Sequence, residues 1–242
     1  MELYNHYSTF LDKNQVILSN VFFCYYICMS HEYQNLIDEL ETAGYLKTPE
    51  IIAAFRHVKR TDFVLPGLEH ESHYNFPLLI GYGQTISQPA TVAFMLELLQ
   101  PRVGEKILDV GFGSGWQTAL LAQLVGRTGQ VIALERIPEL VDFATKNIDK
   151  YHFDNVELIM ANGFNGYTKY EPYDGIVVAA AAPHLPRTML SQLKVGGRMI
   201  IPVGEDTQDI YLIKRDSEKN FKFQKFPGFL FVPLIPETKE NA

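Results

Sequence analysis

Cysteine is almost missing from this chain. Its 242 residues include two, Cys24 and Cys28, and none follows. A cysteine nucleophile, a cysteine zinc site and a disulfide framework are therefore excluded from residues 29–242. An excess of positive charge is missing too. Lys and Arg number 21 against 28 Asp and Glu, a net charge of −7. A phosphate backbone wants a basic face, so the simplest nucleic-acid-binding reading is excluded. The apolar run Val16–Met29 (VILSNVFFCYYICM) has 14 residues, short of the roughly 20 that cross a bilayer core. The residues before it carry Glu2, Asp12 and Lys13, not the positive segment of a secretory signal. His57, His73 and His184 have no ligand-like spacing, so no metal site is expected. There is no internal repeat and no low-complexity tract.

What is present is an ordinary globular balance, 47% apolar and 20% charged. The length suits one α/β domain, or one with an appendage, and supports a core without staples. After Met29 the chain reads SHEYQNLIDELETAGYL, the opening of an amphipathic helix. Residues 1–28 therefore read as an upstream extension, with Met29 as an alternative start to Met1, and residues 29–242 as a single domain. Within that domain, 29–90 form N-terminal helices and a substrate-side loop, and 91–242 an α/β sheet.

Leu36, Ile37 and Leu40 lie at helical spacing, with Gly44 as a stop. Thr48 and Pro49 open a second helix, the Thr as N-cap. Residues 59–83 read as irregular, broken by Pro66, Gly67, Pro77, Gly81 and Gly83. Beyond Pro89 the pattern predicts a helix at Thr91–Leu99, a strand at Lys106–Val110 and a tight turn at Gly111–Gly115. Helix Trp116–Val125, strand Gln130–Glu135, helix Pro138–Tyr151, strand Val156–Met160 and strand Tyr173–Ala179 follow. Then come a helix near Pro186–Leu193, a turn at Gly196-Gly197, strands Arg198–Val203 and Asp209–Arg215, and a last strand at Phe229–Val232. Apolar strands alternating with helices argue an α/β, doubly wound, mostly parallel sheet covered on both faces. Ligands in such sheets bind beyond the carboxyl ends of the strands.

The strongest local motif is Asp109-Val110-Gly111-Phe112-Gly113-Ser114-Gly115. Its glycines let backbone pass close to a ligand, and the turn feeds a helix N-terminus. Trp116 stands where a dinucleotide fingerprint needs its third glycine. The pattern is G-x-G-x-G after a strand ending in Asp, the motif of S-adenosylmethionine-dependent methyltransferases. Glu135 ends the next strand and can accept hydrogen bonds from both ribose hydroxyls. The alternative is a solvated charge beside Arg136. Asn162-Gly163 follows the third strand. Its amide offers a donor and an acceptor to an adenine edge, although alone it would be only a turn.

Residues 77–89, PLLIGYGQTISQP, closely resemble the protein-L-isoaspartate O-methyltransferase family. The resemblance continues through VGFGSGWQTALLA, the strand end at 131–137, Ala179–Pro183, LKVGGRMIIPV at 193–203 and Phe231–Leu234. It covers roughly residues 31–235 in the expected order. GQTISQP is the specific element; the glycine motif is shared by class I methyltransferases at large.

The resemblance implies a class I methyltransferase fold with seven strands, S-adenosyl-L-methionine as cofactor, and isoaspartyl peptides and damaged proteins as acceptors. Membrane and nucleic-acid partners are not expected. A cytoplasmic monomer is. The methyl group goes to the free α-carboxylate of an L-isoaspartyl residue; the ester cyclises to a succinimide, whose hydrolysis restores some aspartate. By position, Ser87 matches the active-site serine, and Thr85 stands beside it as a second hydroxyl donor. Gln84, Asp109, Val110, Gly111, Gly113, Gly115, Glu135, Asn162 and Gly163 match cofactor contacts. A carboxylate is ionised at pH 7, so no strong base is needed, and positioning supplies most of the catalysis. Helix capping is the alternative for Thr85 and Ser87, but it does not explain the whole GQTISQP string.

Three positions depart from the family. Asn162 replaces an acid, and an Asp there is expected to keep or tighten cofactor binding. Tyr82 stands for His and Trp116 for Tyr, both expected to keep an aromatic wall. Two rivals stay open: a methyltransferase for another acceptor, and a non-catalytic binding module. The intact Gln84–Ser87 segment argues against both.

Overall fold

The computed structural model describes residues 32–236. The apolar stretch Val16–Met29, both cysteines and the alternative start at Met29 lie outside them. Helix α1, residues 32–42, buries Tyr33, Leu36, Ile37 and Leu40 on one stripe. It ends as read, with Gly44 at φ +76°. Helix α2, Pro49–His57, starts at Thr48, but that residue does not cap it by side chain. The Thr48 hydroxyl instead donates to Glu97 Oε2 at 2.7 Å, and Glu97 Oε1 takes the Lys47 and Thr48 N–H groups. A tertiary carboxylate outcompetes the local cap.

The segment read as irregular ends in the first strand and turn of a hairpin, β1 (Leu78–Gly81) and β2 (Gln84–Ile86). Its turn needs positive φ, which Tyr82 (+55°) and Gly83 (+70°) adopt. Helix α3 spans Pro89–Leu99 and helix α4 Trp116–Val125; strand β3 is Lys106–Val110, β4 Gln130–Glu135 and β5 Val156–Met160. Helix α5 is Pro138–Ile148, extended by a 3₁₀ turn to Tyr151. Strand β6 is Tyr173–Val178, helix α6 Arg187–Ser191, strand β7 Leu193–Val203, strand β8 Gln208–Arg215 and strand β9 Phe221–Phe229.

The seven-stranded sheet has the order β5-β4-β3-β6-β7-β8-β9. The first five strands pair in parallel and the last two antiparallel. Alternate residues feed two cores. Ile107, Val131, Val177 and Ile200 pack with residues of α1–α5. Leu108, Ile132, Val178 and Met199 pack with Met189 and Leu190 of α6 and with Phe164 and Leu234. Both faces are covered, as a doubly wound sheet requires, though the long helices crowd onto one.

Two strands differ from the reading by more than one residue. Gly196-Gly197 is not a turn before a strand; it lies inside β7, where Gly196 (φ +86°) accompanies a register irregularity opposite Tyr173–Gly175. The last strand is Phe221–Phe229 rather than Phe229–Val232. It contains Pro227, which an edge strand tolerates.

The chain steps from β3 to β5 toward one edge, then returns to β6 on the other side of β3. The crevice beyond the carboxyl ends of β3 and β6 is therefore the switch point where such sheets bind ligands.

Candidate active site

A cleft opens at that switch point, continuous with solvent, where ligands of such sheets bind. Its floor comes from strand ends: Val110 and Gly111 at the end of β3, Glu135 and Arg136 at the end of β4, Asn162 and Gly163 after β5, Ala179 and Ala180 after β6. Gln84–Ser87 form one wall and Val232–Ile235 another.

The glycine turn is shaped by backbone need. Gly111 has φ +80° and Gly113 φ +53°, and a Cβ on Gly113 would stand 3.1 Å from Ile80 Cδ1. Gly163 is small for a steric reason: its Cβ would meet Val110 Cγ1 at 2.4 Å. Glu135 braces the turn. Its Oε1 accepts the Arg136 and Ile137 N–H groups at 2.8 and 3.0 Å, and its Oε2 accepts Gly113 N–H at 3.2 Å. A carboxylate has about four lone-pair directions, so Oε2 keeps one for a ligand in the cleft.

Asp109 and Gly115 stand behind the floor rather than on it. Asp109 is fully buried and accepts hydrogen bonds from Thr118 Oγ1 (2.6 Å) and Gln117 Nε2 (2.9 Å). It pins the glycine turn to the first turn of α4. Burial pushes its carboxyl up to about 6, against those two hydrogen bonds and with a small push from Glu135. A Cβ on Gly115 would touch Ile148 Cδ1 at 3.0 Å, so that glycine serves packing between α4 and α5.

Asn162 reaches the cleft wall with its amide already engaged. Oδ1 accepts Phe164 N–H at 2.9 Å, and Nδ2 donates to the Ile235 carbonyl at 3.2 Å. It latches the C-terminal segment over the cleft, helped by the Leu234 N–H bond to Ala181 O at 2.7 Å. Sequence reasoning had no signal for this contact, because the partners lie 73 residues apart.

On the opposite wall, Thr85 and Ser87 are half-buried. Neither caps α3, whose N-cap is Gln88. Their hydroxyls have no protein hydrogen-bond partner among the described residues. Gln84 Nε2 donates to Tyr82 O at 3.2 Å. Of the two aromatic positions, Trp116 is buried and lines the cleft, whereas Tyr82 is 59% exposed at the hairpin tip and lines nothing there. The expected aromatic wall is thus one residue.

A second groove joins the first. Thr85, Ser87, Ala179 and Val232 line both. The rest of it includes Tyr45, Pro77, Phe94, the start of α3 and the segment 227–231, with no charged side chain on its lining. No helix among the described residues is long and apolar enough to cross a membrane.

Comparison with known proteins shows the family and the fold. The family model described as protein-L-isoaspartate(D-aspartate) O-methyltransferase (PCMT) matches residues 31–239. The protein-L-isoaspartate O-methyltransferase of Methanopyrus kandleri is 43% identical over 206 residues, covering 84% of this chain and 91% of that protein. The one from Ignicoccus hospitalis is 42% identical over 211 residues, covering 86% of this chain and 100% of that protein. Among solved structures, a Plasmodium falciparum protein of this description in complex with S-adenosyl-L-homocysteine superposes with a TM-score of 0.75 at 27% identity. That match covers 84% of this chain and 98% of that one.

Proposed function

The chain belongs to the protein-L-isoaspartate(D-aspartate) O-methyltransferase family, and on that premise we propose how its two joined grooves divide the work. The enzyme transfers a methyl group from S-adenosylmethionine to the free α-carboxylate of L-isoaspartyl residues in damaged proteins. The first cleft holds the cofactor and the uncharged second groove holds the peptide. The observation that carries this division is the shared wall: the free hydroxyls of Thr85 and Ser87 face the place where the grooves meet.

The residues present fit the cofactor. Gly111 and Gly113 give a backbone cradle that a side chain would fill. The spare lone pair of Glu135 Oε2 suits a ribose hydroxyl. Val110, Gly163 and the latched segment 233–235 line the part of the cleft that would take an adenine, with the second N–H of Asn162 Nδ2 as a donor there. Asp109 and Gly115 act one layer below, holding the turn and α4 in place. When bound, S-adenosylmethionine supplies an electrophilic methyl group on a sulfonium.

The acceptor needs no base, since a carboxylate with a pKa near 4 is ionised at neutral pH. It needs orientation and a dry environment. Ser87 and Thr85 can each donate one hydrogen bond to a carboxylate oxygen and leave the other oxygen free to attack. Phe94, Phe229 and Phe231 shed water from the groove beside it. The product ester then cyclises without further help from the protein.

The test is methyl transfer to a synthetic isoaspartyl peptide and to its aspartyl twin. Transfer to the first alone is expected. Transfer to both, or to neither, would overturn the reading.

A further inference from the structure

Arg60 sits in the 3₁₀ turn Arg60–Phe63 and is 0% exposed. Buried guanidinium groups normally face a carboxylate. Arg60 makes no ion pair among the described residues; it faces carbonyls. Its Nη1 donates to Ser72 O (3.1 Å) and Tyr74 O (3.2 Å), and its Nη2 to Phe76 O (2.8 Å) and Ser87 O (3.2 Å). Nε is buried with no partner. The guanidinium lies 5.6 Å from the ring centroid of Trp116, the residue that opens α4 and lines the cofactor cleft. Burial lowers its pKa to about 10, so it stays charged at neutral pH.

The four carbonyls have a pattern. Residues 72–76 lead into the β1–β2 hairpin and residue 87 leads out of it. One rigid fork therefore gathers both stems of the hairpin whose second strand carries Gln84 and Thr85, and whose exit is Ser87. Trp116 beneath the fork ties the same group to the cofactor side. The peptide groove has no charged side chain on its lining, so the guanidinium behind Ser87 also sets a fixed positive charge behind the wall that must receive a carboxylate.

We propose that Arg60 is the positioning residue of the acceptor site, holding Ser87 and Thr85 in register against the cofactor cleft through the backbone of residues 72–76 and 87. This rests on the reading that those hydroxyls orient the acceptor carboxylate. A lysine cannot replace it: a compact ammonium has three donors and no fork.

The experiment is a mutant cycle of Arg60→Lys against Thr85→Ala combined with Ser87→Ala, read by kinetics on an isoaspartyl peptide and by S-adenosylhomocysteine affinity. Arg60→Lys should lower kcat/KM by about tenfold or more while cofactor affinity stays within about twofold; on the background lacking both hydroxyls it should add less than about threefold, because the groups it would misplace are already gone. A role in stability alone would lower both readouts together and add in full on that background, and would overturn the proposal while leaving the functional reading intact. Wild-type protein without isoaspartyl methylation would overturn the functional reading, and this proposal with it. If Arg60→Lys does not fold, Arg60→Met is the second variant, with the same outcomes. If neither folds, amide exchange of wild-type residues 84–88 decides. Protection as deep as that of β3 supports the proposal, and exchange at the rate of an open loop overturns it.

Discussion

Asp109→Asn should change how stability depends on pH, with a sign opposite to that of most carboxylates. Burial raises the folded-state pKa of Asp109 from 3.8 to about 6. Between those values the folded chain binds the proton and the unfolded chain does not. Stability contributed by this group therefore rises as pH falls from about 7 to about 4, and is lost as pH climbs back through the folded pKa. A shift of about 2 units corresponds to about 3 kcal/mol over that window. Asparagine removes the charge and keeps the shape. Its Oδ1 still accepts from Thr118, and the Gln117 amide can turn to offer its oxygen to Nδ2. The assay is urea unfolding of wild type and variant at closely spaced pH values and constant ionic strength. Subtracting the two curves cancels the other titrating groups. Wild type minus variant should rise by about 3 kcal/mol from pH 7 to pH 4. A flat difference, or one that falls, would refute the claim that Asp109 is a desolvated carboxylate inside the fold.

Other variants separate the layers of the site. Glu135→Gln places an NH₂ against Gly113 N–H, a donor facing a donor, and should weaken S-adenosylhomocysteine binding by calorimetry about tenfold or more. Ser87→Ala should lower kcat on the isoaspartyl peptide while thermal midpoint and cofactor affinity hold; unchanged kinetics would remove Ser87 from the acceptor site. For Asn162→Asp the structure reverses the direction expected from sequence. An ionised Asp can still accept from Phe164 N–H but meets the Ile235 carbonyl with a negative oxygen, so cofactor affinity should fall by about three- to tenfold. Equal or tighter calorimetric binding would dismiss the latch. Gly163→Ala drives a methyl into Val110, only 2.4 Å from its Cγ1, and should cost about 1–3 kcal/mol in denaturant unfolding.

Strands β3, β4 and β5 were legible to the residue: β3 and β4 are central, buried apolar runs that end at a glycine turn and at an acid, and the edge strand β5 is a short apolar run before Asn162-Gly163. The outer sheet was harder. Pro227 reads as a breaker unless one knows that β9 is an edge, and Gly196-Gly197 reads as a turn unless one sees the irregularity it accommodates. Local turn chemistry does not report tertiary position. The same limit divides the site. Glu135, Gly111 and Gly113 were found from short spacings and Ser87 from the family resemblance, and all four lie on the cleft. Asp109 and Gly115 share their motif yet face inward, since a motif marks a neighbourhood and not which side chain faces the ligand. Arg60 carried no signal: its partners are backbone carbonyls, which leave no trace in side-chain identity. Thr48 looked like a cap for the opposite reason, its local preference being overridden by Glu97.

The account stands most directly on where the methyl group goes. Mass spectrometry of the product formed from an isoaspartyl peptide, followed through mild base, should place the methyl on the α-carboxylate as a labile ester that converts to the succinimide. A base-stable methyl, or one on any other group of the peptide, would contradict it.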